Sequence, residues 1–173
     1  MRRAQAHLPS CNRQPAFDRV PPRCSAWFTT GVSLTVSVWV KNGSGKSVKD
    51  EALGGSLAAG FENWRTEVWG SPAARALGAH YFPQLADADL YVGAGEMTEF
   101  LRECSLLREH LDVIAAGAEL LGQHGVAVNT VTGSVTAVGS SREIFREQVS
   151  LRLANIEAAA RRAMEAGGEV IIW

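Results

Sequence analysis

The sequence predicts an α+β fold: a two-layer sandwich in which three to four helices pack on one side of a mixed β-sheet. Three observations lead there. Ser33–Val40 alternates polar residues with Leu34, Val36, Val38 and Val40, the period-two pattern of a half-buried strand. Two long segments, about 96–121 and 140–166, repeat apolar residues every three or four positions, which marks helices with one buried face. Around them, short β-branched segments complete the order β, α, α, β, α, β, β, α, β.

The first strand runs into the glycine-rich stretch Lys41–Ser47, and a helix is predicted from about Ser56. Its basis is the spacing of Leu57, Phe61, Trp64 and Val68, four, three and four residues apart, which puts them on one helical face. Gly70 ends that helix. Ser71 followed by Pro72 is a cap-then-proline start for a second, through Ala73, Ala74, Ala76 and Leu77 to Gly78. Pro83 interrupts the chain before a short strand, Leu90–Val92.

The next helix is predicted as one element from Glu96 to Leu121. Met97, Phe100, Leu101, Cys104, Leu107, Leu111, Ile114, Ala115 and Ala118 form its apolar stripe, and Glu99, Arg102, Glu103, Glu109 and Asp112 its polar side. Valines between Val126 and Val138 around Gly133 suggest a hairpin. Ser140 and Glu143 then make an S-x-x-E capping box for a long helix to about Ala166, with Ile144, Phe145, Val149, Leu153, Ile156, Ala160 and Ala163 facing inward. Gly167 and Gly168 stop it, and Glu169–Trp173 has the content of a final strand.

A chain of 173 residues with 46% hydrophobic and 20% charged residues and a net charge of −1 suits one globular domain that needs neither disulfide nor metal to fold. The domain is expected at 32–173. Residues 1–31, punctuated by Arg2, Arg3, Pro9, Pro15, Pro21, Pro22 and Arg23, show no helical or strand period and read as a disordered or non-native extension. They carry +4, and residues 32–173 carry −5, so the folded part is mildly acidic. There are 14 arginines, and the three lysines all fall between Lys41 and Lys49, a usage typical of a high-GC bacterial genome. The absence of an apolar run of about 20 residues argues against a membrane span, and a cytoplasmic location is expected. The charge balance argues against a nucleic-acid partner. Cys11, Cys24 and Cys104 show no paired spacing, and no cofactor or metal is indicated.

Gly43, Gly45, Lys46 and Ser47 are the candidates for phosphate binding, because glycines expose backbone N–H groups while a lysine and a hydroxyl reach the phosphates and magnesium. The run Asn42–Ser47, N-G-S-G-K-S, resembles the phosphate loop of ABC-type ATPases, which implies nucleotide binding there; Val40 occupies the position of that motif's first glycine. Gly93, Ala94 and Gly95 precede a helix as a dinucleotide fingerprint would, with Thr98 in place of the third glycine. Asp87 and Asp89 are a possible carboxylate pair. Cys104 and His110 lie six residues apart and do not share a helical face.

Arg65, Trp69 and Tyr81 belong to a stretch dense in aromatic and polar groups, the chemistry of a protein-binding hot spot. On this reading the chain is a non-enzymatic interaction module whose acidity suits a basic protein partner, and a homodimer is compatible with its long amphipathic helix. In size, acidity and lack of catalytic motifs it resembles the immunity proteins that neutralise bacterial toxins. The alternatives are a P-loop-like nucleotide binder using the loop above and a small-molecule-binding α+β domain. Because regular structure is expected to begin abruptly at Val32, which a GUG start codon would encode, intact mass spectrometry of the native protein should find a chain starting at position 32. A mass that includes residues 1–31 overturns this expectation.

Overall fold

In the computed structural model, residues 33–120 and 141–173 are described. The structure begins with β1 (Ser33–Lys41), which a tight turn folds back onto β2 (Ser47–Lys49) in the register Trp39↔Lys49 and Lys41↔Ser47. After a short excursion the same returning chain pairs with the other half of β1 as β3 (Leu57–Phe61), Ser33 opposite Phe61. Between Leu34 and Thr35 the register shifts, leaving Ala59 as an extra, buried residue. On its opposite edge β1 pairs with β5 (Glu169–Ile172), and β5 pairs with β4 (Leu90–Val92). All these pairings are antiparallel, where the sequence predicts a mixed sheet.

The α+β, two-layer expectation holds. Leu34, Val36 and Val38 of β1, Val170 and Ile172 of β5, and Leu90 and Val92 of β4 share one face and are buried. Helix α4 (Ser141–Ala166) lies on that face and is its main cover. Its predicted stripe, Ile144 through Ala163, is buried throughout. Two polar links fix its seat: Asn155 Nδ2 donates to the Ala58 carbonyl of β3 at 2.8 Å, and Arg162 Nε donates to Asp50 Oδ2 at 2.6 Å. That guanidinium and the Ala52 N–H hold the Asp50 carboxyl below its ordinary range, the backbone bond contributing more.

Helix α1 (Pro72–Ala76) starts as predicted, with the Ser71 hydroxyl accepting from Ala74 N at 3.2 Å. The helix predicted from Ser56 is absent. Leu57 and Phe61 lie in β3, and Arg65–Trp69 forms one π-helical turn closed by Gly70 N–H to the Arg65 carbonyl at 2.8 Å. Trp64 and Val68 are nevertheless buried, as their apolar spacing requires. The helix predicted over 96–121 is two, α2 (Met97–Glu109) and α3 (Leu111–Leu120), parted at His110, which leaves helical geometry at φ −114°, ψ 25°. The predicted Val126–Val138 hairpin and Ser140 of the capping box lie outside the described residues, as do residues 1–32.

Gly168 marks the tightest approach among the described glycines: a Cβ there would stand 2.4 Å from the Trp39 carbonyl oxygen, a backbone atom that cannot yield, and 2.9 Å from Val40 Cγ1. Gly168→Ala should therefore destabilise by about 2 kcal/mol, read in a thermal melt as a Tm lowered by roughly 4–8 °C. An unchanged Tm would show that β5 can slide away from β1 at no cost.

Candidate functional site

The glycine-rich stretch has the geometry of a β-hairpin loop rather than of a phosphate loop. Asn42 organises it: its Oδ1 accepts from Ser44 N–H at 3.0 Å, Ser44 Oγ at 2.6 Å and Lys46 N–H at 3.0 Å. Gly45 N–H donates to the Asn42 carbonyl at 2.8 Å, and Gly45 adopts φ +77°, a conformation open to glycine. These N–H groups are thus engaged within the turn. Ser47 opens a strand and not a helix, so no helix dipole points at the loop. Gly43, Gly45, Lys46 and Ser47 are all exposed. At the second glycine pair, the Gly93 N–H is taken by Glu96 Oε2 at 3.2 Å, which places a carboxylate where a pyrophosphate would have to sit.

The candidate partner-binding residues are divided by the fold. Trp69 is fully buried, its indole N–H donating to the Ala59 carbonyl at 3.0 Å, so it packs β3 and offers no contact surface. Trp69 closes the π-helical turn with its ring against those of Trp64 and Phe82. Arg65 is 14% exposed at its side chain and ties the 85–89 segment down, through Asp89 Oδ1 at 2.7 Å and the Ala88 carbonyl at 3.1 Å, with Glu62 Oε1 2.8 Å from its Nε. Asp89 is accordingly a structural ion-pair partner, and Asp87 stands apart on the surface.

Tyr81 is half-buried in a shallow groove of about 410 Å³ lined by Gly78, His80, Glu99, Arg102, Glu103 and Leu106. Glu103 supports that groove. Predicted on the polar side of its helix, it is instead buried, and its carboxylate accepts the N–H groups of His80 (2.6 Å), Tyr81 (2.9 Å) and Phe82 (2.8 Å). Three successive N–H groups at the start of the 3₁₀ turn Phe82–Ala86 form a concave anion site, and Glu103 fills it from α2. Partial burial, with Glu96, Glu99 and Glu103 nearby, raises the Tyr81 phenol above its ordinary range. Cys104 is buried and desolvation pushes its thiol upward, which keeps it protonated and unreactive. Among the described residues, no three His, Cys, Asp or Glu side chains gather in a metal-binding group.

The feature that sequence reasoning misses is the outward face of the sheet. Strand pairing places Tyr91, Ile171 and Ser37 in one row across β4, β5 and β1, and Glu169, Trp39 and Lys49 in a neighbouring row; Ser37 is itself buried, its hydroxyl 2.7 Å from that of Ser56. Thr35 and Trp173, joined by reciprocal backbone hydrogen bonds of 2.8 and 3.0 Å, form a third with Ala58. Tyr91 is 65% exposed, Trp173 37% and Phe61, at the rim, 47%. A short strand such as Leu90–Val92 has too few residues for its outward aromatic to stand out by periodicity, and only the pairing register collects these side chains on one surface.

Glu103→Ala leaves three N–H groups without their acceptor and should cost about 3 kcal/mol in urea unfolding. Glu103→Gln keeps one acceptor oxygen and should cost about half of that; equal costs would show that packing, and not hydrogen bonding, is the anchor. Comparison of the chain with protein-family models, curated proteins and solved structures finds no match.

Proposed function

We propose that this chain acts by binding protein, through the outward face of its sheet. The observation that supports this reading is the exposure of Tyr91 (65%) and Trp173 (37%) on the side of the sheet turned away from the helices, with Ile171 and Trp39 half-buried between them. An antiparallel sheet with one solvated face ordinarily turns polar residues outward. Contiguous apolar surface rimmed by charge marks interaction sites, and Tyr and Trp dominate the energetics of such sites.

Charge refines the partner. The net acidity of residues 32–173 suits a basic partner, yet the lysines sit on and beside this face, Lys49 next to Trp39 and Lys41 one pair further along. The surface that complements the face is therefore apolar with carboxylates at its edge. Immunity-type neutralisation of a toxin is one form that such binding takes, and the smaller groove at Tyr81 is secondary because it is shallow and rests on a filled anion site. No helix among the described residues is long and apolar enough to cross a membrane.

A photo-crosslinking amino acid in place of Tyr91, introduced in the cells that make the protein, tests this reading. Protein adducts are expected from position 91, lost when Ile171→Lys is added, and not formed from the exposed α4 position Arg161. Equal labelling from both positions, or none from 91, overturns it.

A further inference from the structure

We infer that Asn42 is a site of self-modification: the backbone nitrogen of Gly43 attacks the Asn42 side-chain amide, and the residue converts to a mixture of isoaspartate and aspartate. The inference is independent of the sheet-face reading and concerns the chemistry of the β1–β2 hairpin alone.

The reaction needs a nitrogen that can approach, a carbonyl that can accept charge, and a leaving group that water can reach. Gly43 supplies the nitrogen. It is exposed, a Cβ there would meet nothing within 4 Å, and its N–H donates to no acceptor among the described residues. Without a side chain it comes close to the neighbouring amide unhindered.

The turn supplies the activated carbonyl. Asn42 Oδ1 accepts from Ser44 N–H at 3.0 Å, Ser44 Oγ at 2.6 Å and Lys46 N–H at 3.0 Å. These donors draw electron density from Cγ in the resting amide. As the nitrogen adds, charge grows on Oδ1, and donors already aimed at that oxygen stabilise it without rearrangement, as in an oxyanion hole. The exposed ammonium groups of Lys41 and Lys46 add positive potential that salt weakens. Hydrogen bonds to a side chain also restrain it, which would slow the attack. Here all three end on the oxygen, whereas the two nitrogens whose bonds change, Gly43 N and Asn42 Nδ2, have no partner among the described residues, so activation outweighs restraint.

The step balances with water as the only co-reactant. Gly43 N gives its proton to hydroxide, the N–Cγ bond forms, and the Cγ–Nδ2 bond breaks as that nitrogen takes a proton and leaves as ammonia. Water then opens the five-membered imide. Opening at Cγ gives aspartate, which keeps an acceptor oxygen for the three donors. Opening at the main-chain carbonyl carbon gives isoaspartate: the chain then runs through the former side chain, and the carbonyl that accepts from Gly45 N–H at 2.8 Å becomes a free carboxylate. Either product adds one negative charge between Lys41 and Lys46, and isoaspartate also lengthens the turn that sets Lys41 opposite Ser47.

The test ages the full chain at neutral and mildly alkaline pH and follows the tryptic peptide Asn42–Lys46 by mass spectrometry. A gain of about one dalton is expected at Asn42, as separable isoaspartate and aspartate forms, at a rate that rises with hydroxide. Asn63 and Asn155, followed by Trp64 and Ile156, should stay intact. Gly43→Ala, which the open turn accommodates, should slow conversion about tenfold or more. Ser44→Ala removes the hydroxyl donor and should slow it roughly threefold to tenfold, less than the loss of a water-excluded oxyanion donor, without changing the rate in the urea-unfolded chain. A folded chain in which Asn42 persists overturns the inference. Conversion that Ser44→Ala leaves unchanged or accelerates overturns it too, because the turn then does not activate the amide.

Discussion

The carboxylate of Glu103 and the three backbone N–H groups it receives are the interaction on which the helical layer depends. A buried carboxylate is costly unless its oxygens are satisfied, and buried N–H groups are costly unless they find acceptors, so the two demands are met only together. Their meeting pins residues 80–82 to α2. Phe82 is then held between Trp69, 5.1 Å away, and Phe100, stacked at 5.4 Å. Trp69 in turn contacts Trp64 at 5.9 Å, which meets Phe145 of α4 at 5.4 Å. A chain of rings thus runs from the anchored turn to the long helix on the sheet, and removal of the carboxylate loosens its first link.

Among the described residues, the helices cover one face of the sheet, and Tyr91 and Trp173 stand exposed on the other. Helix α4 covers Leu34, Val36, Val38, Val170 and Ile172, and the register that turns those residues inward turns Tyr91, Ile171, Trp39 and Trp173 outward. Because side chains alternate along a strand, neither face can be changed without the other. The outward side is accordingly a property of the whole sheet, with Trp39 from β1, Tyr91 from β4 and Ile171 and Trp173 from the C-terminal end brought together from three distant parts of the chain. Its lysine hairpin, shaped by Asn42 and Gly45, projects from the same edge and gives the face its polarity of charge.

Much of this was legible in the sequence wherever local pattern and tertiary environment agree. The alternation of β1, the Ser71–Pro72 start of α1 and the apolar stripe of α4 each report a regular element with one buried side. The segment 56–69 misled because Leu57, Phe61, Trp64 and Val68 are spaced for a helix and are also all compatible with a bulged strand followed by a turn. What selects the strand is the free edge of β1, information that lies more than twenty residues away. His110 interrupts a continuous stripe without glycine or proline, so nothing local announces the break. For the candidate site, Tyr81 is half-buried against the core, Trp69 and Arg65 are drawn to the interior, and the lysine loop is a hairpin.

By itself the sequence determined the elements whose pattern is set within a few residues: the inward side of β1 and α4, the cap of α1, and the α+β class. Tertiary structure decided the antiparallel pairing, the burial of Glu103 and Trp69, and the existence of the outward aromatic face. The physical reason is the range of the interactions. Helical and strand periodicity arise from neighbours along the chain, whereas strand register, and a carboxylate that finds three N–H groups twenty residues away, are consequences of which surfaces meet once the chain has closed on itself.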